Sequence, residues 1–184
     1  MTMGLLDDKK RNNIAGYVIS MWHVEDLMRA NAFNLDKVEE LMIAPMDADE
    51  STKADTRAWY SSIIQRMKLQ GIELQGHLSE VEEVLNELEF LHNSLVNVIR
   101  DEPYVALFAE ARPAITALQS QADDQADGPI TTGFTAIYGV LLLRAQGKPV
   151  SPATTEAEGH IRRLLEALSV HYTQMRKLPG VSMN

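Results

Sequence analysis

Val81, Leu85, Leu88, His92, Leu95 and Ile99 follow one another at steps of four, three, four, three and four. That spacing puts all six on one stripe of a single helix, predicted to run from Ser79 to about Arg100. The fourth place in the stripe is a histidine where the pattern asks for an aliphatic side chain. The same period recurs along the chain, and no stretch alternates as a strand would. A helix is predicted from about Asn12 to Ala32, with Ile14, Tyr17, Val18, Met21, Val24 and Met28 on one face. A short helix, Leu35 to Ile43, has Asn34 before it as a cap and Pro45 beyond its end. Ser51 is placed to cap the next, which carries Trp59, Tyr60, Ile63, Ile64 and Met67. Gly71 should weaken the last turns of that helix and Gly76 should end it.

Ser79-Glu80-Val81-Glu82 reads as a capping box, in which serine and glutamate satisfy each other's backbone donors. Asp101-Glu102-Pro103 opens a further helix with acidic residues and a first-turn proline, and Pro113 is expected to kink or split it. Gln119 to Pro129 is polar and loop-like. The segment behind it, from Phe134 to Ala145, is apolar nearly all round and calls for neighbours on every side. The last helix starts at Ser151-Pro152, carries the stripe Ala157, Ile161, Leu164, Leu165, Leu168, Tyr172 and Met175, and stops at Pro179-Gly180. The expected fold is therefore all-α: residues 1–184 as a single compact domain, a bundle of about six helices around a central apolar helix near 130–146.

Charge narrows the partners. Lys and Arg number 17 against 26 Asp and Glu in 184 residues, a net charge of −9. An acidic surface repels phosphate backbones and anionic headgroups, so neither nucleic acid nor a membrane surface is an expected partner. The longest apolar run, Phe134 to Leu143, is too short to span a bilayer. Cysteine is absent, which excludes disulfides and thiol chemistry and suits the reducing cytoplasm. The N-terminal residues lack the apolar stretch of a signal peptide, since Leu5-Leu6 is followed at once by charge.

Three polar residues fall where the pattern is apolar. Glu25 stands seven places after Val18 and four after Met21, inside the apolar arc, with Arg29 one turn on as its expected partner. His92 is the second. Arg144, at the end of the all-apolar helix, is the third. Were their helices to meet, these residues would form one buried polar cluster, with Trp22, Asp26, Arg29, Glu89 and Asn93 near its rim. Buried polar groups usually satisfy one another and serve the fold. A structural cluster in a non-enzymatic cytoplasmic protein, a homo-oligomer or an adaptor, is therefore the first reading. A small-ligand pocket lined by Trp22, Glu25, Arg29, His92 and Arg144 is the second.

A metal-dependent enzyme is the third. Glu89-x-x-His92 places both side chains on one helix face, as in di-iron carboxylate bundles, but those need a second such motif and this chain has one. No metal or cofactor is assigned. Nor is there a nucleophile elbow or a glycine-rich phosphate loop, so no catalytic residue is named. Phe90 lies opposite the stripe of its helix, as a lone exposed aromatic, a second buried face or a dimer contact.

Residues 21–30 (MWHVEDLMRA), 87–92 (ELEFLH) and 138–144 (YGVLLLR), with the Gly76-His77-Leu78 turn and the Gly147-Lys148 loop, carry a resemblance across nearly the whole chain. They resemble an uncharacterised all-helical family of about this length, known chiefly from Bacteroidetes bacteria. The resemblance implies an all-α fold and a bacterial source. It implies no activity.

Overall fold

In the computed structural model, which describes residues 3–121 and 127–177, every regular element is helical. The helices are α1 (Met3–Asn12), α2 (Ile14–Ala30), α3 (Leu35–Val38), α4 (Glu50–Leu69), α5 (Ser79–Asn93), α6 (Glu102–Gln119), α7 (Pro129–Ala145) and α8 (Pro152–Arg176). Two π-helical segments, Glu39–Ile43 and Ser94–Ile99, continue α3 and α5. The all-α expectation holds, with eight α-helices among the described residues in place of six. The chain divides into two compact units, Met1–Asn12 with Gly16–Glu83 and Asn13–Ala15 with Val84–Asn184.

The first unit holds the helix that periodicity does not announce. α1 has few apolar residues to read, yet Leu6 is buried. Lys9 Nζ donates to Ser20 Oγ at 2.8 Å, and the Lys10 ammonium lies 5.2 Å from the centre of the Tyr17 ring. Asn34 caps α3 as expected, its Oδ1 accepting the N–H groups of Asp36 and Lys37 at 3.0 and 3.2 Å. The cap of α4 is Asp49 rather than Ser51. Its backbone is extended (φ −68°, ψ 164°) and its Oδ1 accepts the Thr52 N–H at 2.7 Å.

α4 ends at Gly71, earlier than Gly76. Gly71 adopts φ +68°, the Ile72 N–H reaches Met67 O at 3.1 Å, and the Gly71 N–H reaches Lys68 O at 3.2 Å. These two bonds form a Schellman motif, which a left-handed glycine permits without a side-chain clash. The capping box at Ser79 is replaced by a tertiary exchange. The Ser79 N–H donates to Gln70 Oε1 at 2.9 Å and Gln70 Nε2 donates to Ser79 Oγ at 3.2 Å, while the Glu82 N–H goes to Leu78 O.

In the second unit the stripe of α5 holds as far as Leu95 and fails at Ile99, which is 63% exposed. The cause is the π-helical segment: an i→i+5 turn holds more residues than an α-turn, so a residue four places on no longer returns to the same face. The left-handed Arg100 (φ 56°) then closes the segment, and the Asp101 N–H bonds Leu95 O at 3.0 Å. α6 begins at the Asp101 cap, whose Oδ1 accepts the Tyr104 N–H at 2.9 Å. It runs through Pro113 unsplit. Pro113 and the Ala109 carbonyl it deprives of a partner lie on the exposed side, where water can take the place of the lost bond.

α6, α7 and α8 pack on one another. The stripe of α8 is buried from Ile161 through Leu164, Leu165 and Leu168 to Tyr172, while Pro179-Gly180 lies outside the described residues. α7 differs from the enclosed central helix expected. Ile130, Phe134, Ile137 and Val140 are buried, but Leu142 is half-open and Leu143 lines a cleft.

Candidate functional site

α2 carries Trp22, Glu25, Asp26 and Arg29 on adjoining positions of successive turns, facing the segment between α4 and α5. Glu25 is wholly buried. Its Oε1 accepts the Leu78 N–H at 2.9 Å, and His77 Nδ1–H donates to its Oε2 at 2.6 Å. The Trp22 indole stacks on the His77 imidazole, with centroids 4.4 Å apart and planes 8° from parallel. Arg29 is not the partner of Glu25. Its Nη1 donates to Asp26 Oδ1 at 3.0 Å, and its Nη2 donates to the carbonyls of Ile72, at 3.1 Å, and Gly76. One helix face thus pins the chain from Ile72 to Leu78. Trp22, Glu25 and Arg29 all reach this one segment, around a histidine that the pattern did not mark. The available signal was the burial of Glu25, which demanded a partner that a local arginine does not supply.

His92 is buried on the stripe of α5, with Nδ1 and Tyr104 Oη sharing a hydrogen bond of 2.8 Å. The Phe108 ring meets the imidazole edge-on at 4.5 Å between centroids. Burial lowers the His92 pKa to about 4 and pushes the Tyr104 phenol well above its ordinary value. The pair is therefore neutral near pH 7.

Glu89, the other half of the Glu-x-x-His motif, has separate work. Its Oε1 accepts the N–H groups of Ile130 and Thr131 at 3.0 and 2.9 Å, capping α7 from another helix. Burial raises the Glu89 pKa, against hydrogen bonds from Thr131 and Ile130 that lower it. Gly128 stands where α7 would have its own capping side chain, and a Cβ there would overlap the Glu89 carboxyl. Asn93 donates to the Glu89 carbonyl on the exposed side. Among the described residues no group of three or more His, Cys, Asp or Glu is placed to hold a metal ion.

Arg144 is not the interior group of its pair, since its side chain is 43% exposed. The buried member is Glu158, at 5% exposure. Arg144 Nη1 donates to Glu158 Oε1 at 3.0 Å and Nη2 to Oε2 at 2.5 Å; Arg162 Nη2 adds a further bond to Oε1. Burial alone would raise the Glu158 pKa, but the hydrogen bonds from Arg144 and Arg162 outweigh it and hold the carboxyl below its usual range.

Glu158 also lines a cleft of about 720 Å³ between α6, α7 and α8. Its walls are small or apolar: Ala114 and Ala117 from α6, Ala136 and Gly139 from α7, Ala157 and Ile161 from α8. Asp127 and Gln119 stand toward the start of α7. A Cβ built on Gly139 would meet nothing within 4 Å.

The described chain is thus an all-α protein with an apolar cleft, in which the buried Glu25 fastens a loop and the half-buried Glu89 a helix start. No helix among the described residues is long and apolar enough to cross a membrane. The chain belongs to the family described as a domain of unknown function, DUF4924, which matches residues 3–178. That agrees with its resemblance to an uncharacterised all-helical family. No curated protein and no solved structure matches the chain.

Proposed function

We propose that the protein is a non-enzymatic binding module whose ligand, a small and largely apolar molecule, sits in the cleft between α6, α7 and α8. The cleft itself carries the reading. Its 720 Å³ falls within the roughly 300–1,000 Å³ of small-molecule pockets, and its mainly apolar walls with a few polar groups are what such pockets share. The buried polar groups are occupied elsewhere. Trp22, Glu25 and Arg29 hold the segment before α5, and His92 ties α5 to α6 through Tyr104. None of the five residues expected to line a pocket lines this cleft; Arg144 touches it only through its bond to Glu158, which does. A cytoplasmic setting suits a chain without cysteine. Self-association into a homo-oligomer is part of the same reading, and light scattering coupled to size exclusion tests it.

The cleft is tested with the neutral fluorophore N-phenyl-1-naphthylamine and the variant Gly139→Leu. The added side chain enters open space from mid-helix, where leucine is the better helix former. The parent should give a saturable fluorescence increase, and the variant should lose it while melting no lower than the parent. No increase with the parent, or an equal one with the variant, overturns the proposal.

A further inference from the structure

The outward face of α5 turns apolar where the helix widens. Phe90, Val98 and Ile99 are 74%, 79% and 63% exposed. In an unbroken α-helix Val98 would stand about 80° round the axis from Phe90, and Ile99 would continue the buried stripe. The π-helical segment Ser94–Ile99 advances fewer degrees per residue, so Val98 returns to the Phe90 side one turn beyond Ser94. Single π-turns of this kind occur often at functional sites. Ser94 lies between the two apolar residues, and its Oγ folds back to donate to the Phe90 carbonyl at 2.9 Å. A small side chain with its hydroxyl already bonded leaves a shallow seat there.

The charges on this face have a direction. Glu83, two turns before Phe90 on the same side, is exposed and engages no partner among the described residues. Arg100, just past the π-helical segment, is exposed and equally unpaired among them. The carboxylates that follow it belong to the start of α6: Asp101 accepts the Tyr104 N–H, and Glu102 lies in the first turn, at the positive end of the helix dipole. The face is thus acidic at one end, apolar in the middle and basic at the other, which makes it complementary to itself when reversed.

Resting on the self-association in the reading above, we infer that the partner on this face is a second copy of the chain, its α5 packed antiparallel across a two-fold axis near His92. Each Phe90 then seats on the Ser94 of the other copy, flanked by Val98. Glu83 and Arg100 lie at nearly equal distances on either side of the axis, so each Glu83 meets the other copy's Arg100, and the pair occurs twice. A parallel arrangement would set Glu83 against Glu83 and Arg100 against Arg100, at a cost in repulsion.

Sedimentation equilibrium of the full chain, from micromolar to submillimolar concentration, tests the assignment. The parent should show a reversible monomer–dimer equilibrium, and Phe90→Ala should raise its Kd at least about tenfold, as loss of a central aromatic does. Glu83→Arg and Arg100→Glu should each raise it about fivefold or more, because each breaks two symmetric pairs. The charge-exchanged double Glu83→Arg/Arg100→Glu should return to within about twofold of the parent. All four substituted side chains are exposed, so circular dichroism of the dilute monomers should match the parent. A dimer whose Kd ignores Phe90→Ala, or a double variant as weak as the two singles combined, would overturn this interface and leave self-association standing. A parent chain that stays monomeric throughout would overturn self-association itself, with binding in the cleft unaffected.

Discussion

The His92–Tyr104 pair makes the chain selectively sensitive to acid, and the size of the effect follows from its burial. Histidine titrates at 6.5 in an unfolded chain, whereas burial brings His92 down to about 4. Between those values the unfolded state binds the proton and the folded state does not. Stability therefore rises with pH across this window and is lost as pH falls through it. At about 1.4 kcal/mol per pH unit, the loss from pH 7 to pH 4 is about 3 kcal/mol for this one residue. His92 is 2% exposed, so solvent screening removes little of it.

The perturbation is the double variant His92→Leu/Tyr104→Phe. Leucine restores the aliphatic period of α5, and removing both polar partners leaves no buried hydroxyl unpaired, so the variant should be nearly neutral at pH 7. His92→Leu alone should cost about 1–3 kcal/mol there, because the Tyr104 hydroxyl is left buried and unbonded. Urea denaturation followed by circular dichroism at pH 7, 5.5 and 4 reads the difference. Carboxylates titrate alike in parent and variant and cancel in the comparison. The double variant should exceed the parent by about 3 kcal/mol at pH 4. Parallel stability curves for the two proteins would refute the reasoning, because His92 would then be reaching water.

Three further outcomes follow. Glu25→Ala leaves the Leu78 N–H without its acceptor and empties a buried site, and should cost about 2–4 kcal/mol in urea titration; Glu25→Gln, which can still accept from Leu78 and donate to His77, should cost about 1 kcal/mol. Equal losses for the two would contradict the geometry at Glu25. Gly128→Ala should cost about 1–2 kcal/mol, because the new methyl displaces the Glu89 carboxyl from the N–H groups it caps, and added protection factors at Ile130 and Thr131 in amide exchange would speak against this. If residues 1–184 fold as the single domain expected from the sequence, calorimetry should give one transition with equal calorimetric and van't Hoff enthalpies, and a split transition would count against it.

The helices were legible where an apolar stripe was long and its caps were unambiguous. α8 kept its stripe and its Ser151 cap, and Asn34 and Asp101 cap as their side chains suggest. Asp49 and Ser51 are both good capping residues two positions apart, and the choice between them rests on which backbone is extended, which residue type does not specify. α1 was missed because a short helix with little apolar surface has no period to detect. The π-helical segment after Asn93 was invisible for a different reason. Its residues Ser94, Leu95, Val96, Asn97, Val98 and Ile99 would suit an α-helix, so the stripe was extended to an Ile99 that the wider turn carries into solvent. Phe90 is 74% exposed, so it marks no second buried face within the chain, and the lone exposed aromatic and the dimer contact both stand.

The polar residues were found but their partners were not, and the two facts have one explanation. Period tells which side of a helix a residue occupies, so Glu25 and His92 could be marked as interior. Their partners, His77 and Leu78 for one and Tyr104 for the other, lie on other elements and are set by tertiary packing. Arg144 failed differently. A long side chain at a helix end can lie along the surface, and it does so toward Glu158, the group that is buried. The buried Glu25 and the half-buried Glu89 then share a task that neither motif nor spacing suggested. Glu25 accepts the Leu78 N–H just before α5, and Glu89 accepts two N–H groups in the first turn of α7. In both places a negative group from a different helix sits at the positive end of a helix dipole and takes up donors that a local cap would otherwise serve. Gly128 is consistent with this, since a cap of its own would exclude the Glu89 carboxyl. Charges that fasten helix starts are thereby removed from consideration as chemistry. Glu158 fastens no helix start: it holds Arg144 and Arg162 and lines the apolar cleft.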